Sequence, residues 1–298
     1  MRILVLGGQG FIGRNLIEEL YDKNEVIIVD RYKCKEIELN NCSYFTQDIN
    51  NVDSWEYLLD NIDVLYHLAS SANPLTSTED ILSDIKSNIC GTVQILQAAV
   101  KKGVKKIVYP SSGGTVYGEA IYSPIDEKHP TNPACTYGIA KLAIEKYVQV
   151  FHKMYGIDYC ILRFANVYGR YQTSNTQGAI NIFMRKLMAD EAIEIWGDGS
   201  AVRDYINVKD AVDALMLAGM RSSSEKIFNV GSNKGMTVEE IVIKIASCLK
   251  KTANIEYKKS RGFDVASNVL DCSLIKNVYG FEPKISLDEG IISMLSSS

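Results

Sequence analysis

A tyrosine and a lysine four residues apart, Tyr137 and Lys141, have the residue types and the spacing of a proton acceptor. Apolar residues recur at intervals of three and four over 134–155, which predicts a helix with both side chains on one face. A phenol loses its proton near about pH 10, and a neighbouring ammonium group favours the phenolate. The pair therefore has the chemistry of a general base for a hydroxyl group. The same spacing is also common for a half-buried aromatic beside a solvated charge, so the function depends on what the rest of the chain supplies.

The first 30 residues have the pattern of a turn that binds the pyrophosphate of a dinucleotide. A strand-like run over 3–6 leads into three regularly spaced glycines and then into a helical pattern; the glycines are Gly7, Gly10 and Gly13. Such glycines permit a tight turn, a close approach of backbone to the pyrophosphate, and packing of helix on strand. Asp30 ends the next strand, 17 residues after Gly13, where a carboxylate accepts hydrogen bonds from a ribose diol.

Asp30 also indicates which dinucleotide binds. A carboxylate at this position repels the 2′-phosphate of NADP, so the predicted cofactor is NAD. Arg31 and Lys33 follow it and are possible partners for a phosphate, which keeps NADP as the alternative.

Strands alternate with helical patterns through the first half of the chain. The strand-like runs are 26–29, 43–46, 63–67, 105–110 and 158–163, and the longest helical pattern between them is 80–101. This alternation predicts an α/β fold, a Rossmann-type doubly wound parallel sheet whose cofactor binds past the carboxyl ends of the strands. The character changes after Tyr168, which predicts a smaller, interleaved α/β substrate domain. The predicted boundaries are 1–168 for the NAD-binding domain, with 204–231 rejoining it, and 169–203 together with 232–298 for the substrate domain.

The composition excludes several classes of function. The net charge is −4 and the basic residues are scattered, so no nucleic acid is expected as a partner. No apolar run approaches the ~18 residues of a membrane span and no leader precedes the first strand, so we expect a cytoplasmic protein without a membrane partner. Seven cysteines without a C-x-x-C pair indicate reduced thiols, and Cys135 is interpreted as a small buried hydrophobe. The three histidines lack metal-ligand spacing, and no metal site is predicted.

Together these segments resemble a known family. The chain resembles the extended short-chain dehydrogenase/reductases, specifically the NAD-dependent nucleotide-sugar epimerase/dehydratase group, and is most similar to the UDP-hexose 4-epimerases. The matching segments extend over nearly the whole chain: Gly7–Gly13, Asp30, Asp48-Ile49, His67–Ala69, Asn88 with Gly91-Thr92, Ser111–Gly118, Tyr137 with Lys141, Arg163–Gly169, Gly197–Asp204, Asn229–Gly231, and Arg261 with Asp264. The resemblance implies a bound NAD, a UDP-sugar substrate, and a homodimer formed by the helical patterns 80–101 and 134–155 of two copies.

The resemblance also implies roles for individual residues. Tyr137 would take the proton from a sugar hydroxyl, and Lys141 would hold a ribose hydroxyl of the cofactor while lowering the pKa of that tyrosine. The residues implied in cofactor binding, besides this pair, are Gly7, Gly10, Phe11, Ile12, Gly13, Asp30, Arg31, Asp48, Ile49, Leu68, Ala69 and Asn88. Those implied in substrate binding are Thr115, Asn166, Trp196, Arg203, Arg261, Asp264 and Asn268.

Several of these substrate residues have an ordinary structural alternative. Asn166 and Arg203 would touch the nucleotide diphosphate and Arg261 would clamp it, since a guanidinium fork matches phosphate oxygens. The alternative for both arginines is a surface salt bridge. Trp196 would lie near the nucleotide base, or would instead be a core tryptophan at the end of a strand. Asn268 occupies the position where side-chain bulk decides in the epimerases whether a C2 N-acetyl group fits, which predicts that N-acetylhexosamines are tolerated.

The chain departs from the family pattern at two points. Gly113 replaces the Ser or Thr that contacts the reacting hydroxyl, so we expect Ser112 to act as the third catalytic residue, with Thr115 as the alternative. Serines in turns also commonly do no more than satisfy loop backbone. The 4,6-dehydratases carry an Asp-Glu pair that eliminates water, and the equivalent residues here are Gly114 and Thr115. Without an acid and a base at these positions, elimination is disfavoured.

The predicted function is NAD-dependent epimerisation at C4 of a nucleotide-linked hexose, either UDP-glucose and UDP-galactose or their N-acetyl forms, by oxidation to a 4-keto sugar and re-reduction. A nucleotide-sugar reductase or decarboxylase on the same scaffold is the second hypothesis. The third is a catalytically silent dinucleotide-binding regulator. The presence of Tyr137 and Lys141 argues against this third hypothesis, and Gly113 argues for it.

Overall fold

The computed structural model describes residues 1–32, 39–260, 262 and 264–295. Its strands are β1 (Arg2–Leu6), β2 (Glu25–Asp30), β3 (Cys42–Thr46), β4 (Val64–His67), β5 (Lys106–Ser112), β6 (Asp158–Phe164), β7 (Asn166–Tyr168), β8 (Ile193–Trp196), β9 (Val202–Asn207), β10 (Ile227–Val230), β11 (Gly235–Thr237), β12 (Ile255–Lys258) and β13 (Ser267–Asn268). Seven of them form one parallel sheet in the order β10-β6-β5-β4-β1-β2-β3. The predicted Rossmann-type sheet is confirmed.

The helices lie between these strands. They are α1 (Phe11–Leu20), α2 (Pro74–Glu79), α3 (Ile81–Asp84), α4 (Gly91–Lys101), α5 (Thr136–Tyr155), α6 (Ala179–Met188), α7 (Val208–Met220), α8 (Val238–Leu249), α9 (Ser273–Tyr279) and α10 (Leu287–Leu295). Two short 3-10 helices, Val52–Ser54 and Glu56–Leu59, precede β4. Within the described part of the chain, no helix is both long enough and apolar enough to cross a membrane.

The sequence predicted one continuous helix over 80–101. The structure shows that this segment is interrupted. A π-helical segment, Ile85–Cys90, separates α3 from α4. Apolar periodicity over 22 positions averages across a local change from an i+4 to an i+5 bond, so the sequence pattern could not show this interruption.

The central strands of the large sheet are buried on both faces because they are apolar at nearly every position. Along β1, Ile3 and Val5 pack in one core cluster together with buried residues of α1 and α7. Leu4 and Leu6 point the opposite way and pack with buried residues of α4 and α5. This alternation is the two-residue period of a strand covered by helices on each side, which explains why β1 and β2 read as continuous apolar runs.

The smaller strands form a separate layer. β9 pairs with β7 and β13 in parallel and with β11 in antiparallel, while β8 pairs with β12. A third core cluster joins α6, α8 and α10 to β8. β10 is the edge strand of the large sheet next to β6, and α7 and buried residues of 270–281 pack in the core cluster on one face of that sheet. β9 belongs to the smaller layer. The exact boundaries of the two folding units stay a prediction.

The strand order reverses between the adjacent strands β1 and β4. β2 and β3 lie on one side of β1, and β4, β5 and β6 lie on the other. In doubly wound sheets, ligands bind beside such a reversal, past the carboxyl ends of the strands. The segments that follow β1, β4, β5 and β6 all open at this edge.

Candidate active site

A cavity of about 690 Å³ lies at the carboxyl edge of the large sheet. The predicted site residues that line it are Gly7, Gly10, Phe11, Ile12, Gly13, Leu68, Ser112, Thr115, Tyr137, Lys141, Asn166, Arg203 and Asp264. A neighbouring cavity of about 210 Å³ shares Gly7, Gly10 and Leu68 with it. The second cavity is lined in addition by Asp30, Arg31, Asp48, Ile49, Ala69 and Asn88. The residues predicted to bind the cofactor and to react with the sugar therefore form one continuous concave surface.

The glycine turn after β1 has no room for side chains. Gly7 has a φ of +81°, and a Cβ there would lie 2.7 Å from the backbone nitrogen of Ala69. A Cβ on Gly13 would lie 2.7 Å from the Cα of Gly8. Helix α1 starts directly after this turn, so its first backbone N–H groups point into the cavity and have no partner within the helix. This is a backbone cradle for an anion such as a pyrophosphate.

Asp30 is held at the end of β2 by backbone N–H groups. Its Oδ2 accepts from the Gln9 nitrogen at 2.9 Å, and its Oδ1 accepts from the Tyr32 nitrogen at 3.1 Å. These bonds tie the carboxylate to the glycine turn and fix its orientation, and each oxygen retains a free lone pair for a ribose hydroxyl. The glycine cradle and this carboxylate together fit a dinucleotide with an unphosphorylated ribose, which is NAD.

Tyr137 and Lys141 lie on the first turns of α5 and both face the cavity. The Lys141 Nζ donates to the Pro110 carbonyl oxygen at 3.1 Å and lies 5.7 Å from the centroid of the Tyr137 ring. It lies 4.9 Å from the centroid of the buried Tyr109 ring. Gly138 lets this turn approach the loop after β5, because a Cβ there would lie 2.6 Å from the Thr115 carbonyl oxygen.

Burial controls the protonation of this pair. It raises the pKa of Tyr137, and the neighbouring Cys135 and Asp84 raise it further. Burial also lowers the pKa of Lys141 to about 8, although the charges of Glu145 and Asp84 oppose this shift. Burial is the largest influence on the pKa of Tyr137 in the chain without its cofactor, and the lowering of that pKa by Lys141 stays a prediction.

The loop after β5 places two hydroxyl groups beside the tyrosine. Ser112 lines the cavity, and its carbonyl oxygen accepts from the nitrogens of Thr115 at 3.2 Å and Val116 at 3.0 Å, which closes a tight turn. The Thr115 Oγ1 is buried without a hydrogen-bond partner in the described structure. At Gly113 a Cβ would lie 2.6 Å from the Leu270 Cδ1. Leu270 therefore occupies the space that a side chain at position 113 would need.

The predicted substrate residues divide into those at the cavity and those away from it. At the cavity, the Asn166 Nδ2 donates to the Asp204 carbonyl oxygen at 2.9 Å, and an Arg203 Nη1 donates to the Val202 carbonyl oxygen at 2.9 Å. The core alternative for Trp196 is wrong, because its side chain is 44% exposed. Trp196 also lies outside the lining of both cavities.

Asn268 does not line the described cavity. Asn268 is fully buried, and its Nδ2 donates to the Gly113 carbonyl oxygen at 3.0 Å. It lies behind the loop after β5 and is absent from the cavity lining, so direct contact with a substrate is not observed for it. Arg261 lies outside the described residues, and its role stays a prediction.

Sequence reasoning missed one wall of the cavity. None of the predicted site residues lies in the segment directly after β7, but several of its residues line the site: Tyr171, Gln172, Thr173, Ser174, Gln177 and Gly178. Its position after a strand at the carboxyl edge was the signal that could have identified it. Cys135, interpreted as a buried hydrophobe, is half-buried and also lines the cavity, and burial raises the pKa of its thiol.

Comparison with known proteins gives a consistent result. The sequence profile of the NAD dependent epimerase/dehydratase family matches residues 3–231. The chain is 34% identical to the UDP-glucose 4-epimerase of Mycolicibacterium smegmatis, over 98% of this chain and 96% of that protein. The crystal structure of UDP-glucose 4-epimerase from Thermotoga maritima with UDP-glucose matches with a TM-score of 0.94 and 36% identity, over 99% of this chain and 98% of that chain.

A Thermus thermophilus UDP-glucose 4-epimerase in complex with NAD matches with a TM-score of 0.92 and 30% identity, over 99% of this chain and 98% of that chain. The cofactor predicted from Asp30 is thereby confirmed as NAD. The glycine turn, the cavity that follows it and these similarities agree on one assignment. The chain belongs to the NAD-dependent epimerase/dehydratase family and has the extended short-chain dehydrogenase/reductase fold of its UDP-glucose 4-epimerases.

Proposed function

We propose that this protein interconverts the C4 epimers of a UDP-linked hexose. The observation that carries the proposal is that Tyr137, Lys141 and the hydroxyl-bearing loop after β5 line the same cavity as the glycine turn for NAD. Gly114 and Thr115 supply no carboxylate for the elimination of water, so oxidation followed by re-reduction is the reaction that the site supports.

Each step of the reaction has a residue of this chain to perform it. Bound NAD would supply the acceptor and donor of the hydride of C4, at the site formed by the glycine turn, Asp30 and Lys141. Tyr137 takes the proton from O4 and gives it back, while Ser112 or Thr115 orients that oxygen. Lys141 would hold the cofactor ribose, and its positive charge, together with that of an oxidised nicotinamide ring, would favour the phenolate. Asn166 and Arg203 hold the diphosphate while the sugar ring turns over between the two transfers.

Two further assignments complete the proposed binding mode. Asp48 and Ile49 flank the adenine, which is supported by their position with Asp30 in the smaller cavity. Tolerance of N-acetylhexosamines is supported by the size of Asn268, because an asparagine leaves the Gly113 backbone undisturbed where a bulkier side chain would displace it.

Conversion of purified sugars tests the proposal directly. UDP-glucose, UDP-galactose and their N-acetyl forms are incubated separately with protein and NAD, and each product is followed by proton NMR. We expect each active substrate to approach an epimer equilibrium without net change of NAD. Four unchanged sugars would contradict the proposed function. Net oxidation of NAD(P)H, or carbon dioxide from UDP-glucuronate, would instead identify a reductase or a decarboxylase.

We also infer that two copies pair through α3, the π-helical segment and α5. Exposed apolar side chains are concentrated on these contacting elements: Ile81, Leu82, Ile85, Ile139, Tyr147, Val150 and Met154. The two helical layers of each copy would form a four-helix bundle that buries this surface, since contiguous exposed apolar patches mark interaction sites.

A charge introduced on that surface is expected to separate the two copies. In Leu82→Glu, a side chain that is 70% exposed becomes a carboxylate that the pairing would desolvate. Light scattering after size-exclusion chromatography should show a mass that falls from two chains to one. The control Ile243→Glu changes a residue that is 60% exposed on α8 and should leave two chains together. A parent protein of one chain would contradict the inference.

The proposed compartment is the cytoplasm. Cys42, Cys90, Cys135, Cys160, Cys248 and Cys272 are free thiols. Free thiols persist in compartments that keep cysteines reduced. Fractionation of the native cell, followed by immunodetection, tests this assignment, and recovery with the membrane or the secreted fraction would contradict it.

A further inference from the structure

A buried carboxylate lies one helical turn after Lys141. Glu145 is fully inaccessible to solvent, and its Oε1 accepts from the Ser111 hydroxyl at 2.5 Å. Arg163 donates to the same carboxylate from Nε at 3.0 Å and from Nη2 at 2.7 Å. Ser111 directly precedes Ser112, so Glu145 holds the point at which the loop over 112–116, here called the hydroxyl loop, leaves β5.

The carboxyl-terminal end of the hydroxyl loop is held by Arg163, the cation of the same ion pair. An Arg163 Nη1 donates to the Tyr117 hydroxyl at 3.0 Å, and the Arg163 Cζ lies 4.9 Å from the centroid of the Tyr117 ring. The Tyr117 hydroxyl in turn donates to the Asn229 Oδ1 at 2.7 Å. Both ends of the hydroxyl loop are therefore attached to Glu145, either directly or through Arg163.

Stability alone does not account for this arrangement. A buried ion pair is often replaced by apolar side chains without loss of stability, because desolvation of the charges offsets their attraction. Apolar side chains, however, do not supply hydrogen bonds that fix the orientation of one segment relative to another. The network connects the helix that carries Tyr137 and Lys141 to the loop that carries Ser112 and Thr115, through hydrogen bonds of fixed geometry.

Glu145 also acts on the lysine of the same helix. Its charge is the largest influence that opposes the loss of the proton from Lys141, whose pKa burial lowers. One carboxylate thus supports the lysine charge on one side and the hydroxyl loop on the other.

We propose that Glu145 is a positioning residue that, with Arg163, fixes both ends of the hydroxyl loop relative to Tyr137 so that the loop hydroxyls meet the reacting oxygen. The proposal rests on the proposed function for its kinetic readout. It does not rest on that function for its structural readout, which is the mobility of the hydroxyl loop.

Two variants separate positioning from folding. Ser111→Ala removes a single hydrogen bond to Glu145, and we expect kcat to fall about tenfold with KM within about twofold of the parent. Glu145→Leu combined with Arg163→Met removes both charges together, so neither is left buried alone, and kcat should fall about 100-fold at a retained Tm. In both variants, hydrogen exchange of the peptide spanning 112–118 should be faster than in the parent.

The control variant breaks another ion pair on the same strand. Asp158, at the amino end of β6, accepts from the Lys226 Nζ at 2.5 Å and is not among the residues that line the cavity. Asp158→Asn should leave kcat and exchange over 112–118 unchanged.

The outcomes are distinguishable. Parental kcat and parental loop exchange in Ser111→Ala would overturn the proposal, and so would lowered kcat with unchanged loop exchange, since the network would then act in some other way. If the parent converts no UDP-hexose, the proposed function fails, while faster exchange in both variants would still support the anchoring of the loop.

Discussion

Replacement of Tyr137 by phenylalanine is expected to lower kcat by about 10²–10⁴-fold, the range that general acid–base catalysis supplies. The phenylalanine keeps the ring that packs on α5 and removes only the hydroxyl that takes the proton from O4. Binding of NAD and of UDP, measured by calorimetry, should stay within about twofold of the parent, because neither depends on that hydroxyl. Initial rates of epimerisation with saturating sugar and NAD provide the measurement.

The same helix offers a matched control. Tyr155 ends α5 and is 54% exposed, so Tyr155→Phe removes an identical group from a solvated position. It should retain parental kcat. A Tyr137→Phe variant that turned over as fast as the parent would refute the proposed mechanism at its central step, which is the transfer of the O4 proton to the Tyr137 hydroxyl.

Replacement of Lys141 by methionine is expected to abolish most activity and at the same time to stabilise the fold near neutral pH. Burial lowers the pKa of Lys141 from 10.5 to about 8, so the folded protein carries a charge that is costly to desolvate. A shift of this size corresponds to about 3 kcal/mol, and the lost bond to the Pro110 carbonyl offsets about 1 kcal/mol of it. Methionine should therefore raise the free energy of unfolding at pH 7 by about 2 kcal/mol.

The stabilisation of the Lys141→Met variant relative to the parent is expected to depend on pH. Below pH 8 the lysine is protonated in both the folded and the unfolded chain, and the whole destabilising contribution is present. Between about pH 8 and 10.5 the unfolded chain binds more protons, so the parent gains stability relative to the variant as the pH rises. Urea unfolding at pH 7 and at pH 10.5 should show the advantage of the variant disappear.

An exposed lysine on the same helix provides the control for a general effect of removing a lysine. Lys146 lies on the exposed side of α5, and Lys146→Met should change neither kcat nor the free energy of unfolding at pH 7. A Lys141→Met variant that was less stable than the parent at pH 7 would show that the lysine charge is compensated more fully than its burial indicates. A catalytic group that weakens its own fold is common where activity requires a strained site.

The local features of this protein were predictable from the sequence. The apolar runs of β1 and β2 and the 3.6-residue period of α5 identify a parallel sheet with covering helices, because burial on both faces imposes those patterns directly. The glycine turn, Asp30, and the Tyr137–Lys141 spacing lie within short segments, where backbone geometry alone places the groups. NAD and the family followed from these residues.

Other features depended on contacts between distant parts of the chain. Glu145 meets Ser111, which is 34 positions away, and Leu270 occupies the space beside Gly113 although it lies 157 positions further on. The exposure of Trp196 and the burial of Asn268 likewise depend on how the smaller layer packs. Sequence pattern carries information over the period of a helix or a strand. The burial that shifts the pKa of Lys141 and the network that anchors the hydroxyl loop exist only once β5, α5 and β6 have come together, and so only the tertiary structure could decide them.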